Sequence, residues 1–203
     1  LNAPGCIDFM KFLPVRLGIQ AYGDFDAQEK VTWESSHRWL EIEKQAKLGV
    51  VLKALCRGEL IAEYHLEYCQ RAPRSKPKTG FEGDFSEQRQ VFWPNETEKY
   101  DQFLKLVSFI DPIYHDDEFA QAMGFPKRLL HDWFVFVSLW FESKERYPEA
   151  NNLKVVCIQP AMATGKLDLL WQESETGACK GQLFDEVQRA IFTDIHLSQK
   201  QGA

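Results

Sequence analysis

Four cations lie close together in the loop that follows the most regular strand pattern of the sequence. Arg71, Arg74, Lys76 and Lys78 fall within eight residues that contain no acidic side chain. Residues 37–80 carry nine Lys and Arg against five Glu, in a chain of net charge −6. Phosphate binding requires such a local positive surface, so the loop is predicted to contact a nucleic-acid backbone. The alternative is a solvated, flexible loop.

Residues 116–135 contain a second candidate site. Ala120 permits close approach of two helices, Gly124 permits a left-handed turn, and Leu130 and Trp133 provide apolar contacts for a second helix. This pattern resembles the helix-turn-helix motif of DNA-binding proteins. The resemblance implies a second helix that begins at Pro126 and presents three residues to DNA: Lys127, Arg128 and His131. The acidic residues 116–118 and Asp132 depart from the motif because they repel phosphate, and a plain helical corner is the alternative.

Two further groups contain side chains that can bind metals or transfer protons. Glu63, His65 and Glu67 share one face of a predicted strand. Alternating polar residues are also typical of the solvated face of a half-buried sheet, and we favour that interpretation. Residues 115–117, His-Asp-Asp, are better explained as an exposed acidic helix start. We therefore expect no bound metal, no cofactor and no catalytic residue.

An aromatic run occupies residues 133–141, where Trp133, Phe134, Phe136, Trp140 and Phe141 leave no polar face. A helix that is apolar all round is typical of a protein core. The alternative is an interface with a partner protein or a second copy of the chain, because aromatic residues concentrate binding energy.

The elements that position these residues are predicted to be a mixture of helices and strands. Apolar spacings of three and four predict a helix over 35–55 that ends at Arg57-Gly58. Alternation over 60–69 predicts a strand, which forms a long-tipped hairpin with 88–93. Further helices are predicted at 95–109, 116–123, 126–145 and 182–197, and further strands at 15–22, 153–159 and 166–172. The expected fold class is α+β, with antiparallel hairpins packed against several helices.

Length and composition bound the remaining expectations. The 203 residues, 44% of them hydrophobic, fit a single domain, with a subdivision near 94–112 as the alternative. The longest apolar stretch, 133–141, is too short for a membrane helix, which needs about 20 residues. Residues 1–14 lack the apolar segment of a secretory signal. Five cysteines without a C-x-x-C pair favour a reducing compartment, so a cytoplasmic location is expected.

Together these patterns favour a non-enzymatic nucleic-acid-binding or regulatory protein. DNA or RNA would be bound by the hairpin loop and by the helix-turn-helix-like element. A protein-protein interaction module or assembly subunit, using segment 133–141, is the first alternative. A metal-dependent hydrolase centred on Glu63, His65 and Glu67 is the second.

Overall fold

The computed structural model describes residues 12–23, 28–42, 45–70, 87–91, 97–107, 111–163, 167–173, 178–185 and 190–199. The chain divides into two compact units, residues 1–76 and 77–203. Each unit is built on antiparallel strands, and the described α-helices all belong to the second unit.

The first unit contains four strands: β1 (Phe12–Ala21), β2 (Val31–Ile42), β3 (Gln45–Cys56) and β4 (Glu59–Gln70). They are ordered β2-β3-β4-β1, and each neighbouring pair is antiparallel. One face is apolar and includes Leu17, Leu48 and Leu66, each at most 5% exposed. Since side chains alternate between faces along a strand, Glu63, His65 and Glu67 lie on the opposite face.

The hairpin between β3 and β4 turns at Arg57-Gly58. Both residues have positive φ, 54° for Arg57 and 83° for Gly58. Two consecutive positive φ values define the type I′ turn, whose twist matches that of the flanking strands. The dipeptide that we interpreted as a helix stop therefore closes a hairpin.

The second unit begins with β5 (Glu87–Val91), followed by α1 (Thr97–Leu106), a single 3-10 turn (Pro112–Tyr114), α2 (Asp117–Ala122) and α3 (Asp132–Arg146). The remaining strands are β6 (Asn152–Cys157), β7 (Leu167–Glu173), β8 (Cys179–Asp185) and β9 (Ala190–Ser198). They form the order β6-β9-β8-β7-β5, again with antiparallel neighbours.

The core of the second unit is dense around β7 and β8. Trp171 is 1% exposed and lies opposite Gly181. A Cβ atom on Gly181 would come within 2.8 Å of the Trp171 ring, so only glycine fits beneath the indole. The ring also meets Tyr147, at the end of α3, edge-on at 6.1 Å between centroids. This contact ties the helix to the sheet.

The predicted α+β class, with hairpins packed against several helices, is wrong. The structure is mostly sheet with few helices, because 35–42 belongs to β2, 45–55 to β3, 182–185 to β8 and 190–197 to β9. Strand pairing outweighs helical spacing here, since β3 is hydrogen-bonded to a strand on each edge. The predicted hairpin of 60–69 with 88–93 is also wrong, because β1 and β3 occupy both edges of β4 and β5 pairs with β7.

Strands near 15–22, 60–69, 88–93, 153–159 and 166–172 are confirmed, as is the helix within 95–109. The single-domain assignment stays a prediction. None of the described helices is long and apolar enough to cross a membrane.

Candidate functional site

Two titratable residues stand side by side where α3 begins. His131 is the N-cap of the helix, and its Nδ1 accepts a hydrogen bond of 3.2 Å from the backbone N–H of Trp133. A neutral imidazole that accepts at Nδ1 carries its proton at Nε2, so His131 has an N–H to donate. Asp132 is the first residue of the helix. Helix starts favour negative charge, because their N–H groups and the helix dipole point toward it.

A buried tyrosine fixes the backbone in front of this helix start. The Tyr100 hydroxyl on α1 donates to the carbonyl of Leu129 at 2.8 Å and accepts from the backbone N–H of His131 at 3.0 Å. Tyr100 is 1% exposed, and burial raises the pKa of its phenol. The hydroxyl therefore stays protonated and holds the chain on both sides of Leu130.

The same segment pairs with a second stretch of backbone. Leu130 N–H donates to Ala161 O at 2.8 Å, and Ala163 N–H donates to Arg128 O at 2.9 Å. Ala161 is fully buried. The backbone leading into α3 is thus held by α1 on one side and by residues that follow β6 on the other.

Burial shifts the pKa of both residues at the helix start toward the neutral forms. It lowers the pKa of His131 from 6.5 to about 4 and raises that of Asp132 from 3.8 to about 7. Burial also raises the pKa of the Cys157 thiol at the end of β6, where the Asp132 charge adds to the effect. At neutral pH the site therefore contains a neutral imidazole and a carboxyl group that exchanges its proton readily. Perturbed pKa values of this kind are typical of functional sites.

Aromatic rings surround the imidazole of His131. The Tyr114 ring lies 5.2 Å and the Phe103 ring 6.0 Å from it, measured between centroids. Phe134 packs against Tyr100 at 4.9 Å and against Phe103 at 5.3 Å. These rings exclude water from His131, which explains the direction of its pKa shift.

The predicted helix-turn-helix is not formed. Gly124 does adopt the expected left-handed conformation, with φ of 86°. However, residues 126–131 are not helical, Leu129 forms a β-bridge with Met162, and the next helix begins only at Asp132. Lys127 and Arg128 consequently lie in an irregular connection, and His131 caps α3.

Both cations of that connection are paired with carboxylates. Lys127 Nζ lies 3.3 Å from Asp117 Oδ2, and Arg128 Nη1 lies 3.0 Å from Asp101 Oδ1. The backbone N–H of Arg128 also donates to Asp117 at 2.9 Å. Arg71, Arg74, Lys76 and Lys78 lie outside the described residues. Phosphate contact by any of these six cations, or by His131, stays a prediction.

The polar face of the first unit is an ion-pair network around Glu63. The Glu63 carboxylate accepts from the Tyr22 hydroxyl at 2.8 Å and lies 3.5 Å from Lys53 Nζ and 3.6 Å from His65 Nε2. Hydrogen bonding from Tyr22 is the main reason that the pKa of Glu63 is lowered. Among the described residues, no group of three or more His, Cys, Asp or Glu side chains is arranged to hold a metal ion.

Residues 115–117 form the acidic helix start that we favoured. The Asp116 carboxylate caps α2 by accepting from the N–H groups of Glu118 and Phe119, at 2.7 and 3.2 Å. The aromatic run 133–141 lies on α3, where Phe134, Phe136 and Leu139 are buried while Phe141 is 65% exposed. A partner surface on that segment stays a prediction.

Comparison with solved structures identifies the fold. The chain superimposes on a MaoC-like dehydratase from Phytophthora capsici with a TM-score of 0.78 and 11% identity, over 98% of this chain and 75% of that one. HtdX of Mycobacterium tuberculosis gives 0.70 and 14%, over 97% and 78%. An acyl-ACP thioesterase from Bacteroides thetaiotaomicron gives 0.53 and 10%, over 93% and 75%. No protein-family model and no curated protein sequence matches the chain.

The fold is therefore the hot-dog fold of the MaoC-like dehydratases. The prediction of a non-enzymatic nucleic-acid-binding regulator is wrong, since the structural neighbours are hot-dog enzymes and no helix-turn-helix forms at 116–135. The DNA-binding and helix-turn-helix assignments are withdrawn with it.

Sequence reasoning named His131 only as a residue that contacts nucleic acid, and it treated Asp132 only as a departure from a DNA-binding motif. It did not single out Tyr100. One available signal was Asp132 immediately before the aromatic run 133–141, because aspartate is a preferred residue at helix starts.

Proposed function

We propose that this chain is an enzyme that adds water to, or removes it from, an acyl thioester, with Asp132 as its acid-base residue and His131 as the residue that orients the substrate. The observation that carries the proposal is the neutral imidazole beside a carboxyl group of pKa about 7, at the start of α3. General acid-base catalysis is most effective when the catalytic pKa lies near the working pH. The fold is shared with dehydratases and, more distantly, with an acyl-ACP thioesterase, which supports a thioester substrate.

Elimination of water from a β-hydroxyacyl thioester requires removal of the α-proton, formation of the double bond and protonation of the departing hydroxide. The Asp132 carboxylate takes the α-proton, which the thioester carbonyl makes acidic. The electron pair left on the α-carbon forms the double bond as the bond from the β-carbon to oxygen breaks. The departing hydroxide accepts the proton held by Asp132 and leaves as water, which regenerates the carboxylate.

The roles of the other groups follow from their hydrogen bonding. His131 donates from Nε2 to the β-hydroxyl and orients it, since its Nδ1 is occupied by Trp133 N–H. The N-terminal end of α3 favours the negative charge that develops on the thioester oxygen. Tyr100 does not touch the substrate in this scheme and positions His131 through the backbone.

The assay follows hydration of a trans-2-enoyl thioester by loss of its conjugated absorbance, with free thiol measured in parallel. We expect water addition without thiol release, and a kcat/KM that rises with pH through about 7 as Asp132 ionises. Asp132→Asn should lower kcat/KM by about 100-fold or more and remove that pH dependence. Glu149→Gln, an exposed carboxylate after α3, is the matched control and should leave both unchanged.

Release of thiol without hydration would instead identify a thioesterase, in which Asp132 activates water for attack on the carbonyl. Absence of both reactions, or full activity in Asp132→Asn, would contradict an acid-base role for Asp132.

We also propose that the protein works in the cytoplasm. Cys56, Cys69, Cys157 and Cys179 are not joined in disulfides, and three of them are buried. Cysteines without disulfides are typical of proteins from reducing compartments. Fractionation of the source cells would test the location.

A further inference from the structure

We infer that the outer edge of β2 pairs antiparallel with β2 of a second copy of this chain, in a register centred on Ser36. β2 is the first strand in the order of its unit, with β3 on one edge and, among the described residues of that unit, no strand on the other. A free edge presents backbone N–H and C=O groups that another strand can satisfy. Its 12 residues contain no proline to prevent such pairing.

The exposure of β2 distinguishes it from the corresponding strand of the second unit. All eight residues from Thr32 to Trp39 are exposed, with Trp33 at 57% and Trp39 at 51%. In the second unit β7 holds the same place in the strand order, but β5 covers its outer edge and residues 167–171 are buried. Exposed tryptophan is uncommon on free surfaces and enriched at protein interfaces.

The register with β3 shows which residues of β2 share a face. Trp33 and Trp39 lie opposite Ala54 and Leu48, so both indoles stand on the apolar face of the sheet. Glu34 and Arg38 lie opposite Lys53 and Gly49, on the polar face. Along β2, the apolar face of the sheet therefore carries two tryptophans, and the polar face carries one acidic and one basic residue.

A two-fold axis through Ser36 brings complementary residues of the two copies together on both faces of the sheet. It places Glu34 opposite Arg38 of the second copy and Trp33 opposite Trp39 of the second copy, and the symmetry repeats each pair. Opposite charges and aromatic pairs in these directly opposed positions stabilise a sheet. The isologous contact closes on itself, as expected for a dimer.

Neighbouring registers lack this complementarity. In an antiparallel pair, two directly opposed residues either both form hydrogen bonds to each other or both do not. Adjacent residues of one strand differ in this respect, so they cannot oppose each other in a symmetric dimer. The two-fold axis must therefore pass through a residue and not between two residues. Centring on Ser35 sets Glu34 against Ser36, and centring on His37 sets Glu34 against Leu40. Among these three registers, only the one centred on Ser36 pairs opposite charges, which is why we commit to a second copy as the occupant.

The test measures the mass of the 203-residue chain by sedimentation velocity over a concentration series. We expect a dimer in the parent, at least a tenfold weaker dimer in Glu34→Arg, and recovery in Glu34→Arg/Arg38→Glu. Glu149→Arg, an exposed site outside the first unit, is the control for a change of net charge and should leave the dimer intact. Circular dichroism checks that each variant is folded.

Cross-linking tests the register independently of affinity. Directly opposed Cα atoms lie about 4.5–5.5 Å apart, within the range of a disulfide. Ser36→Cys should therefore form an intermolecular disulfide under mild oxidation. Ser35→Cys, which would face His37 of the second copy, should form no more intermolecular disulfide than the parent. A monomer at all concentrations, a dimer indifferent to Glu34→Arg, or equal cross-linking at both positions would overturn the inference.

Discussion

The two units contain the same strand arrangement but differ in what surrounds it. In each, the first strand pairs with the fourth while the second lies outermost, giving β2-β3-β4-β1 and β7-β8-β9-β6. The second unit adds β5 beyond β7 and three α-helices between β5 and β6. The described part of the first unit has neither addition.

Glu63 of the first unit and Asp132 of the second have pKa values that are shifted in opposite directions. In the first unit Glu63 lies on a polar face, where hydrogen bonding and cations lower its pKa. In the second unit, burial at the start of α3 raises the pKa of Asp132 to about 7. The same type of side chain is thus a stable anion in one unit and a group that titrates near neutral pH in the other, because burial disfavours charge and paired cations favour it.

The largest expected difference between the units concerns a matched pair of glycines. Gly181→Ala should destabilise the protein by about 1–3 kcal/mol or more, because its Cβ would meet Trp171 at 2.8 Å and the Leu170 carbonyl at 2.9 Å. Gly49→Ala on β3, the strand corresponding to β8, should change stability by less than about 1 kcal/mol, since its Cβ would meet only Arg38, at 3.5 Å. Urea unfolding measures both.

A Gly181→Ala protein as stable as the parent would mean that Trp171 can move aside, and that the core of the second unit is less constrained than its contacts indicate. A large loss in Gly49→Ala would show that the two four-stranded sheets are equally intolerant.

A second prediction concerns the pH dependence of stability. Asp132 has a folded pKa of about 7, above its ordinary 3.8, so the folded state binds more protons and loses stability as pH rises between these values. His131 has a folded pKa of about 4, below 6.5, so the folded state gains stability as pH rises over nearly the same range. The two contributions oppose each other, roughly 4 kcal/mol for Asp132 and roughly 3 kcal/mol for His131.

Single substitutions should separate the contributions of Asp132 and His131 to the pH dependence of stability. Asp132→Asn should leave a free energy of unfolding that rises from pH 4 to 6.5, and His131→Asn should leave one that falls from pH 4 to 7. Urea unfolding at half-unit pH intervals provides the curves. Parallel curves for the parent and both variants would contradict burial as the cause of the pKa shifts.

Local sequence patterns predicted the positions of individual strands better than the pairing between strands. The alternation of 60–69 was sufficient to locate β4, because one face is buried and the other polar. Residues 32–39 of β2 lack such alternation, since they are exposed on both faces, and the helix predicted over 35–55 includes 35–42 of this strand. The prediction over 182–197 was wrong for the opposite reason, because the first four residues of β9 are all buried and a continuously buried stretch has no two-residue period.

The candidate site was less accessible to sequence reasoning, because its chemistry depends on long-range contacts. His131 is 31 positions from Tyr100, and no local pattern indicates that a hydroxyl on α1 holds its backbone. The pKa shift of Asp132 arises from burial, which the sequence of a helix start does not reveal. Gly124 was predictable, since its left-handed conformation is a local requirement.

The smallest expected effect is that of Glu63→Gln in the first unit. Glutamine keeps an oxygen that accepts from Tyr22 but loses the charge attraction to Lys53, whose Nζ lies 3.5 Å from the carboxylate. Because Lys53 is about half exposed, the loss at neutral pH should be below about 1 kcal/mol. A carboxylate with a lowered folded pKa stabilises the protein above its ordinary pKa of 4.5 and loses that contribution as pH falls. The parent and Glu63→Gln should therefore converge in acid, and 1 M salt should bring them together at neutral pH as well. A loss above about 2 kcal/mol that persists in acid and in salt would show that Glu63 is a buried structural group like those of the second unit, and would remove the distinction between the two sheets.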